Sequence, residues 1–211
     1  MHVQTKKLWL VSLVTLLILV GVLIWWRVGH KAAQSQTDTV ITTSIDKPSE
    51  ELPEKVGYVW KGGPEDPKKL RISKINVDAY VQKVGVDQNR QVSVPNNIHI
   101  TGWFTQSVKP GEAGLAIIDG HLDGYKNDGV FILLQDLAEG DTFSLERGDG
   151  KTLRYQVISA KQLATAEAAA ELFSQDPRVK SQLNLITCGG NFDQSKRSYD
   201  KRVIVSAQLI D

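Results

Sequence analysis

The 211-residue sequence has little of what several classes of functional site require. It contains one cysteine and four histidines, and none of them forms a closely spaced ligand pair such as C-x₂-C or H-x₃-H. Its 25 Lys and Arg residues nearly balance its 24 Asp and Glu residues, and the net charge is +1. These counts disfavour a zinc protein, and the charge gives no indication of a nucleic-acid partner.

An uncharged apolar run, LWLVSLVTLLILVGVLIWW, occupies residues 8–26. About 20 such residues span a bilayer as a helix, so the run predicts a transmembrane segment. A cleaved signal peptide is the alternative, but its apolar core is only about 7–15 residues long and precedes a small-residue cleavage site. The following RVGHK offers no such site. We therefore predict a retained anchor over residues 8–27, preceded by a short tail, residues 1–7.

A polar segment follows the anchor. Residues 28–56 are rich in Ser, Thr, Gln, Asp, Glu and Pro and have little apolar periodicity. This composition buries too little apolar surface to order itself, so it predicts a flexible linker. A flexible chain of this length spans on the order of 25–30 Å and would hold a domain away from the membrane. Residues 57–211 are the predicted domain.

Short β-branched and apolar runs dominate from residue 70 onward, separated by turns such as KPG, EGD and GDG. Many short strands at this spacing predict a mainly β domain with a closed or nearly closed barrel. Two further segments, residues 131–137 and 164–173, have helical character, and Thr165 is the expected N-cap of the second. The predicted strands cover residues 70–75, 77–84, 92–95, 98–104, 115–118, 142–145, 153–159, 183–187 and 203–209.

The single cysteine, Cys188, stands at the end of one predicted strand, and Arg202 opens the next, with residues 189–200 as a loop between them. A nearby cation lowers the pKa of a thiol from about 8.5 towards neutrality and makes it a better nucleophile. A buried and inert cysteine is the alternative. Structural cysteines outside the membrane usually pair, so a lone thiol there favours a functional interpretation.

A histidine follows another predicted strand, in GLAIIDGHLDG. His121 is suited to general acid–base catalysis because its ordinary pKa lies near neutral pH. Asp119 and Asp123 flank it and could orient it, although aspartate is also common in turns for backbone reasons. The alternatives are a surface histidine and a zinc site shared with Cys188 and an aspartate. The joint pattern of histidine, cysteine and arginine at three strand ends favours a catalytic site.

Together these segments resemble the sortase family, the cysteine transpeptidases of bacterial surfaces. LITC matches the end of the family's TLxTC strand, with Asn184 in place of its first threonine, and GHLDG resembles its histidine segment. CGGNFD, which begins at the cysteine, is most similar to the class F branch. The resemblance covers about residue 70 to the C-terminus. It implies an eight-stranded barrel with one or two short helices, the catalytic residues His121, Cys188 and Arg202, and no cofactor.

The resemblance also implies a function and a location. It implies cleavage of an LPxTG-like sorting signal after threonine, through a thioacyl intermediate, and transfer to an amine such as a cell-wall precursor or a pilin lysine. The N-terminus would be cytoplasmic and the catalytic domain extracellular. Arg202 is preferred to Arg197 because the family's arginine stands just before the final strand, in a similar KR context. A hydrolytic cysteine peptidase and a non-enzymatic anchored β-barrel remain alternatives.

Overall fold

The computed structural model describes residues 40–41, 47–87 and 90–211. The predicted transmembrane helix over residues 8–27 and much of the predicted linker lie outside these ranges. In the part of the chain that is described, no helix has both the length and the apolar character needed to cross a bilayer.

Eight strands in the described ranges close into a barrel, in the order β1-β2-β3-β4-β7-β8-β6-β5. Neighbouring strands are antiparallel except for β2 with β3 and β4 with β7, which are parallel. Helix α1, Thr165–Leu172, follows β6. This closure confirms the predicted mainly β, eight-stranded barrel. The strands are β1 Pro67–Ile72, β2 Val77–Val84, β3 Thr101–Phe104, β4 Gly114–Gly120, β5 Thr142–Arg147, β6 Thr152–Ala164, β7 Ser181–Asp193 and β8 Ser198–Leu209.

Side-chain alternation along the central strands divides their residues between two apolar clusters. Leu185 of β7 and Val205 of β8 lie in the main core, to which all eight strands contribute aliphatic or aromatic side chains. Ile186 and its neighbour Ile204 belong to the second cluster, on the opposite face, which α1 covers. Both faces are therefore buried along residues 185–186 and 203–205, which explains why these short runs are continuously apolar.

The segment between Cys188 and Arg202 is a β-hairpin and not the predicted loop. β7 continues to Asp193, β8 begins at Ser198, and residues 194–197 form the turn. The register shifts between Gly189 and Phe192, where Gly190 has a φ of 77°, so a bulge absorbs the irregularity. The sequence does not predict this hairpin, because both of its faces are largely exposed and polar and it has no apolar alternation.

Three predicted strands are shortened, shifted or lost, while others, such as β6, extend beyond their predicted ends. Residues 98–100 form a turn before β3, in which the backbone N–H of His99 donates to the side-chain Oδ1 of Asn97 at 2.8 Å. An asparagine side chain that accepts a hydrogen bond from the backbone N–H two residues later favours a turn over a strand. Residues 92–95 contribute only an isolated bridge, and Ser73–Ile75 is a short 3₁₀ helix rather than the end of β1.

Both predicted helical segments contain a helix, but the predicted N-cap of the second is not observed. The structure contains a 3₁₀ helix at Leu134–Asp136 within the first segment and α1 within the second, so both helical turns are confirmed. The N-cap prediction is wrong. The N-cap of α1 is Ala164, without a side-chain capping bond, while the Thr165 hydroxyl donates to the backbone carbonyl of Tyr199 at 3.1 Å. Thr165 therefore ties α1 to β8.

Part of the predicted linker contacts the barrel. The Ile41 backbone N–H donates to the Lys83 carbonyl at 3.0 Å, and the Ser49 N–H donates to the Asn96 carbonyl at 2.8 Å. Backbone bonds of this kind fix a segment against its neighbour. Among the described residues of the predicted linker, residues 41 and 49 therefore have fixed positions on the domain.

Candidate active site

Cys188 and Arg202 lie directly opposite each other on β7 and β8. The antiparallel register pairs Leu185 with Val205 and, three residues further on, Cys188 with Arg202. Side chains of directly paired residues project from the same face of a sheet, about 5 Å apart at their Cβ atoms. The structure thus brings together the cysteine and the arginine that the sequence placed at two strand ends.

β4 brings His121 to the same end of the sheet. β4 and β7 are parallel and pair Asp119 with Ile186, so extending the register by two residues sets His121 level with Cys188. The Thr187 hydroxyl donates to the Gly120 carbonyl at 2.7 Å and joins the two strands at this point. All three predicted catalytic residues therefore lie on one face of the sheet and line one cavity.

The imidazole of His121 has a defined orientation. Its Nε2 lies 2.7 Å from the backbone carbonyl oxygen of Pro95. A carbonyl oxygen only accepts, so Nε2 carries the hydrogen, and in the neutral ring Nδ1 has the free lone pair. Burial lowers the pKa of His121, while the hydrogen bond to Pro95 and the carboxylate of Asp123 act in the opposite direction. The ring is therefore neutral in most molecules at pH 7.

The electrostatic effect expected at Cys188 is reversed by burial. Burial raises the pKa of the Cys188 thiol, and Arg202 lowers it by less. Asp119 and Asp123 raise it further. The expectation that the nearby cation brings this pKa towards neutrality is therefore wrong, because desolvation of the thiolate outweighs the attraction of one guanidinium. The thiol is protonated in most molecules at neutral pH.

Arg202 is held by groups on two elements. Its Nη1 donates to the carbonyls of Lys201 and Tyr199, at 2.8 and 3.0 Å, and to the Thr165 hydroxyl at 3.2 Å. These bonds fix one arm of the guanidinium. Arg197 instead lies in the turn of the hairpin, five residues and about 16 Å along the strand from Arg202.

Comparison with known proteins identifies the family. A family model described as the Sortase domain matches residues 70–210. The chain belongs to the sortase family. The match covers every strand except the beginning of β1, together with His121, Cys188 and Arg202. A comparison with curated proteins gives no match.

Solved sortase structures share the fold. The chain resembles a lid mutant of sortase A from Corynebacterium diphtheriae, with 23% identity, a TM-score of 0.54, and coverage of 72% of this chain and 73% of the other. It also resembles sortase D5 from Clostridium perfringens, with 22% identity, a TM-score of 0.51, and coverage of 75% and 86%. Sortase C1 from Streptococcus agalactiae gives 20% identity, a TM-score of 0.51, and coverage of 68% and 66%. These similarities show the barrel of the sortase family, and they span three types of sortase.

Two aspartates of this sortase have different surroundings. Asp123 accepts a hydrogen bond from the phenol of Tyr199, whose backbone carbonyl in turn accepts from Arg202. The loop after His121 is thereby linked to the strand that carries Arg202. Asp119 lines the cavity, and burial raises its pKa to about 7 despite the opposing effect of Arg202. The two aspartates that flank His121 therefore differ: Asp123 links the loop to β8, whereas Asp119 lines the cavity.

The active-site cavity of this sortase has a volume of about 370 Å³ and mixes charged and apolar walls. Its polar end contains the three catalytic candidates and Asp119. Its apolar walls are supplied by residues before β3, by α1 and its C-terminal end, and by β7: Val92, Val94, Ala168, Leu172, Phe173 and Ile186. An apolar lining with a few polar groups is typical of a binding site.

The zinc alternative finds no support in the structure. Across residues 40–41, 47–87 and 90–211, no three His, Cys, Asp or Glu side chains form a group that could hold a metal ion. A second, larger groove of about 800 Å³ lies beside α1 and is lined by polar residues such as Lys161, Gln182 and Ser206. It contains none of the catalytic candidates.

Proposed function

We propose that this sortase is a cysteine transpeptidase and that Cys188, His121 and Arg202 are its catalytic residues. The supporting observation is the strand register, in which Cys188 pairs with Arg202 and lies level with His121 at one end of the cavity. Acyl transfer through a thioester needs a nucleophile, an acid–base group and a stabiliser of the oxyanion, and these three side chains supply them.

In the first half-reaction, the Cys188 thiolate attacks the threonine carbonyl carbon of an LPxTG-like sorting signal. The new C–S bond gives a tetrahedral oxyanion, which the Arg202 guanidinium stabilises. Collapse of this intermediate breaks the C–N bond, and the leaving amine takes a proton from the His121 imidazolium. The product is a thioacyl enzyme.

In the second half-reaction, the roles of acid and base are exchanged. An amine nucleophile gives its proton to His121 and attacks the thioester carbonyl, and the C–S bond breaks to restore the thiolate. The proton would move through Nδ1, since Nε2 donates to Pro95. The acyl group is then joined to the amine through a new amide bond.

The pKa directions of the two groups predict how activity depends on pH. The reactive form has a Cys188 thiolate beside a protonated His121, but the thiol pKa is raised and the histidine pKa is lowered. Only a minor fraction of enzyme is then in this form, and the fraction is constant between the two pKa values. We expect a bell-shaped profile whose acid limb reports His121 and whose alkaline limb reports Cys188.

The location and the branch of the family are part of the same proposal. The apolar run over residues 8–27 would anchor the enzyme in the membrane, with its N-terminus in the cytoplasm and the catalytic domain outside. The partners would be surface proteins with a C-terminal sorting signal and an amine acceptor such as a cell-wall precursor or a pilin lysine. The CGGNFD segment favours class F.

The test is incubation of the enzyme with a library of peptides containing an LPxTG-like motif, with and without an amine acceptor, followed by mass spectrometry. We expect a thioacyl adduct on Cys188 and a ligated product that requires the amine. Cys188→Ala should abolish both while circular dichroism shows an intact fold. Product formation by folded Cys188→Ala above a trace would contradict the mechanism.

Two other outcomes identify the alternatives. Cleavage without ligation at saturating amine would make the enzyme a hydrolytic cysteine peptidase that uses the same residues. A thiol that resists small alkylating reagents at neutral and alkaline pH, together with no cleavage of any peptide, would favour a binding module.

A further inference from the structure

Residues 49–51, at the start of the domain, are attached to the turn that follows Pro95. The Ser49 N–H donates to the Asn96 carbonyl at 2.8 Å, and the Ile98 N–H donates to the Ser49 carbonyl at 2.9 Å. The side-chain amide of Asn97 donates to the Glu51 carbonyl at 2.8 Å. This turn carries the carbonyl that binds the imidazole of His121, so residues 49–51 support the residue that orients the catalytic ring.

The side chain of Glu50 extends from the same segment to the loop that follows His121. Its carboxylate accepts hydrogen bonds from the backbone N–H groups of Tyr125 and Lys126 and from the side-chain amide of Asn127. Burial is the largest single cause and acts to raise the pKa of Glu50, but the hydrogen bonds together outweigh burial and lower this pKa. The carboxylate is therefore ionised at neutral pH and stays a strong acceptor.

Gly124 makes room for this carboxylate. A Cβ at Gly124 would lie 2.8 Å from Glu50 Cδ, which is closer than real Cβ atoms approach. A side chain at residue 124 would therefore require the Glu50 carboxylate to move away from the loop.

His121 thus lies between two backbone segments that meet at Glu50. Its ring bonds to Pro95 on one segment, and its own chain continues into the Glu50-bound loop on the other. The Val130 N–H also donates to the Ile98 carbonyl, at 2.8 Å, and joins the two segments beyond Glu50. A change in either segment moves the imidazole relative to its acceptor.

We propose that residues 49–51 position the catalytic histidine, with Glu50 as the positioning residue that keeps His121 Nε2 within hydrogen-bond distance of Pro95. The inference rests on the proposed function of His121. It makes this part of the predicted linker a support of the active site.

The effect of losing Glu50 has a definite sign. Burial lowers the pKa of His121, and the hydrogen bond to Pro95 partly offsets this effect. The cavity around the ring is walled by β4, β7, β8, α1 and residues 90–94, none of which Glu50 contacts, so burial should persist without Glu50. Loss of the hydrogen bond alone should lower the pKa of His121 further.

Other charged groups around His121 must be counted in any such measurement. Asp123 follows on the same loop, while Asp119 comes from β4, Cys188 from β7, and Arg202 and Tyr199 from β8; Arg90 lines the same cavity. Substituting Glu50 leaves these charges in place but frees the loop that carries Asp123. Because the Asp123 carboxylate raises the pKa of His121, displacement of Asp123 would lower that pKa in the same direction as loss of the bond to Pro95.

The test compares Glu50→Ala with the matched control Glu54→Gln, which removes an exposed carboxylate outside residues 49–51 and keeps the backbone bond to Gly57. In the full-length chain in detergent, we expect Glu50→Ala to lower kcat/KM on a sorting-signal peptide by about three- to tenfold, the size expected for one weakened hydrogen bond. The acid limb of the pH profile should move to lower pH by the logarithm of the same factor, because both changes follow from one pKa. Glu54→Gln should leave both unchanged.

Gly124→Ala supplies an independent route to the same effect. The added methyl group should displace the Glu50 carboxylate and reproduce the shift, and it should add nothing in the double variant with Glu50→Ala, where the carboxylate is absent. An unshifted acid limb in Glu50→Ala, or a loss of activity that only follows a fall in Tm, would overturn the proposal.

A readout without substrate separates this proposal from the proposed function. The ring-proton resonance of His121, assigned by its loss in His121→Ala, should titrate at lower pH in Glu50→Ala than in the wild type. If the wild type transfers no peptide but this shift is seen, the positioning role stands and the proposed function fails. If peptide is transferred and the titration of His121 is the same in Glu50→Ala and the wild type, the positioning role fails and the proposed function stands.

Discussion

Asp119→Asn should make the catalytic domain more stable at alkaline pH and leave its stability at pH 4 unchanged. Burial raises the pKa of Asp119 from 3.8 to about 7 in the folded protein. Between these values the unfolded chain releases the proton and the folded chain retains it, so the free energy of unfolding falls as pH rises. Above pH 7 both states are ionised, and the loss is complete.

The size of the effect follows from the same pKa values. The difference between 3.8 and about 7 corresponds to about 4 kcal/mol at alkaline pH, and since the side chain is partly exposed this is an upper limit. The stabilisation by Asp119→Asn should therefore grow from about zero at pH 4 to at most about 4 kcal/mol at pH 8. His121 contributes a slope of the opposite sign between its lowered pKa and 6.5, but it is common to both proteins and cancels in the difference.

The assay is urea unfolding of residues 40–211 at pH 4, 5.5, 7 and 8. The matched control is Asp136→Asn, which removes an exposed carboxylate from the 3₁₀ helix before β5. Its curve against pH should run parallel to the wild type. An Asp119→Asn curve that is also parallel to the wild type would refute the argument, because Asp119 would then be ionised in the folded protein without cost.

The same substitution should alter catalysis in a separate way. The Asp119 carboxylate raises the pKa of the Cys188 thiol. Removing it should shift the alkaline limb of kcat/KM to lower pH and leave the acid limb, which reports His121, near its original position. Thiol alkylation rates as a function of pH measure the same pKa without a peptide substrate. An alkaline limb that moves to higher pH would contradict the assignment.

The remaining predictions concern Arg202, the thiol and membrane topology. Arg202→Ala should lower kcat/KM by about 10²–10³, and Arg202→Lys by nearly as much, because lysine lacks the planar fork. Arg197→Ala should lower kcat/KM by less than about tenfold, or ~1.4 kcal/mol. The reverse order for the two arginines would contradict the assignment. Alkylation of Cys188 should be slow at pH 7 and accelerate up to at least pH 9, because its pKa is raised; a rate that levels off below pH 8 would contradict this. Protease added to intact cells should digest a domain from about residue 31 onward, and protection of that domain until lysis would contradict the proposed orientation.

The positions of the catalytic candidates could be predicted because they depend on local sequence. A strand has a period of two, so an apolar run and its end indicate which residues reach the rim of a sheet. Cys188 and His121 each follow such a run, and Arg202 precedes one. Short strands with turns between them likewise predict closure into a barrel, which the structure confirms.

The partners of these residues could not be predicted, because the contacts join distant parts of the chain. Pro95 is 26 residues from His121, Tyr199 is 76 residues from Asp123, and Glu50 is 77 residues from Asn127. Pro95, Tyr199 and Glu50 lie in no pattern that marks them, and Glu50 falls in a polar segment whose composition is typical of a linker.

The sequence alone therefore determined which side chains stand at the ends of the apolar runs, the β-barrel class and the family that the motifs resemble. Tertiary structure decided their protonation and orientation. A cation beside the thiol could be inferred from two strand ends, but the raised pKa of Cys188 depends on how much water the assembled walls of the cavity exclude. Desolvation is a collective effect of all the neighbouring elements, whereas strand periodicity is a property of a few consecutive residues, and only the latter can be read along the chain.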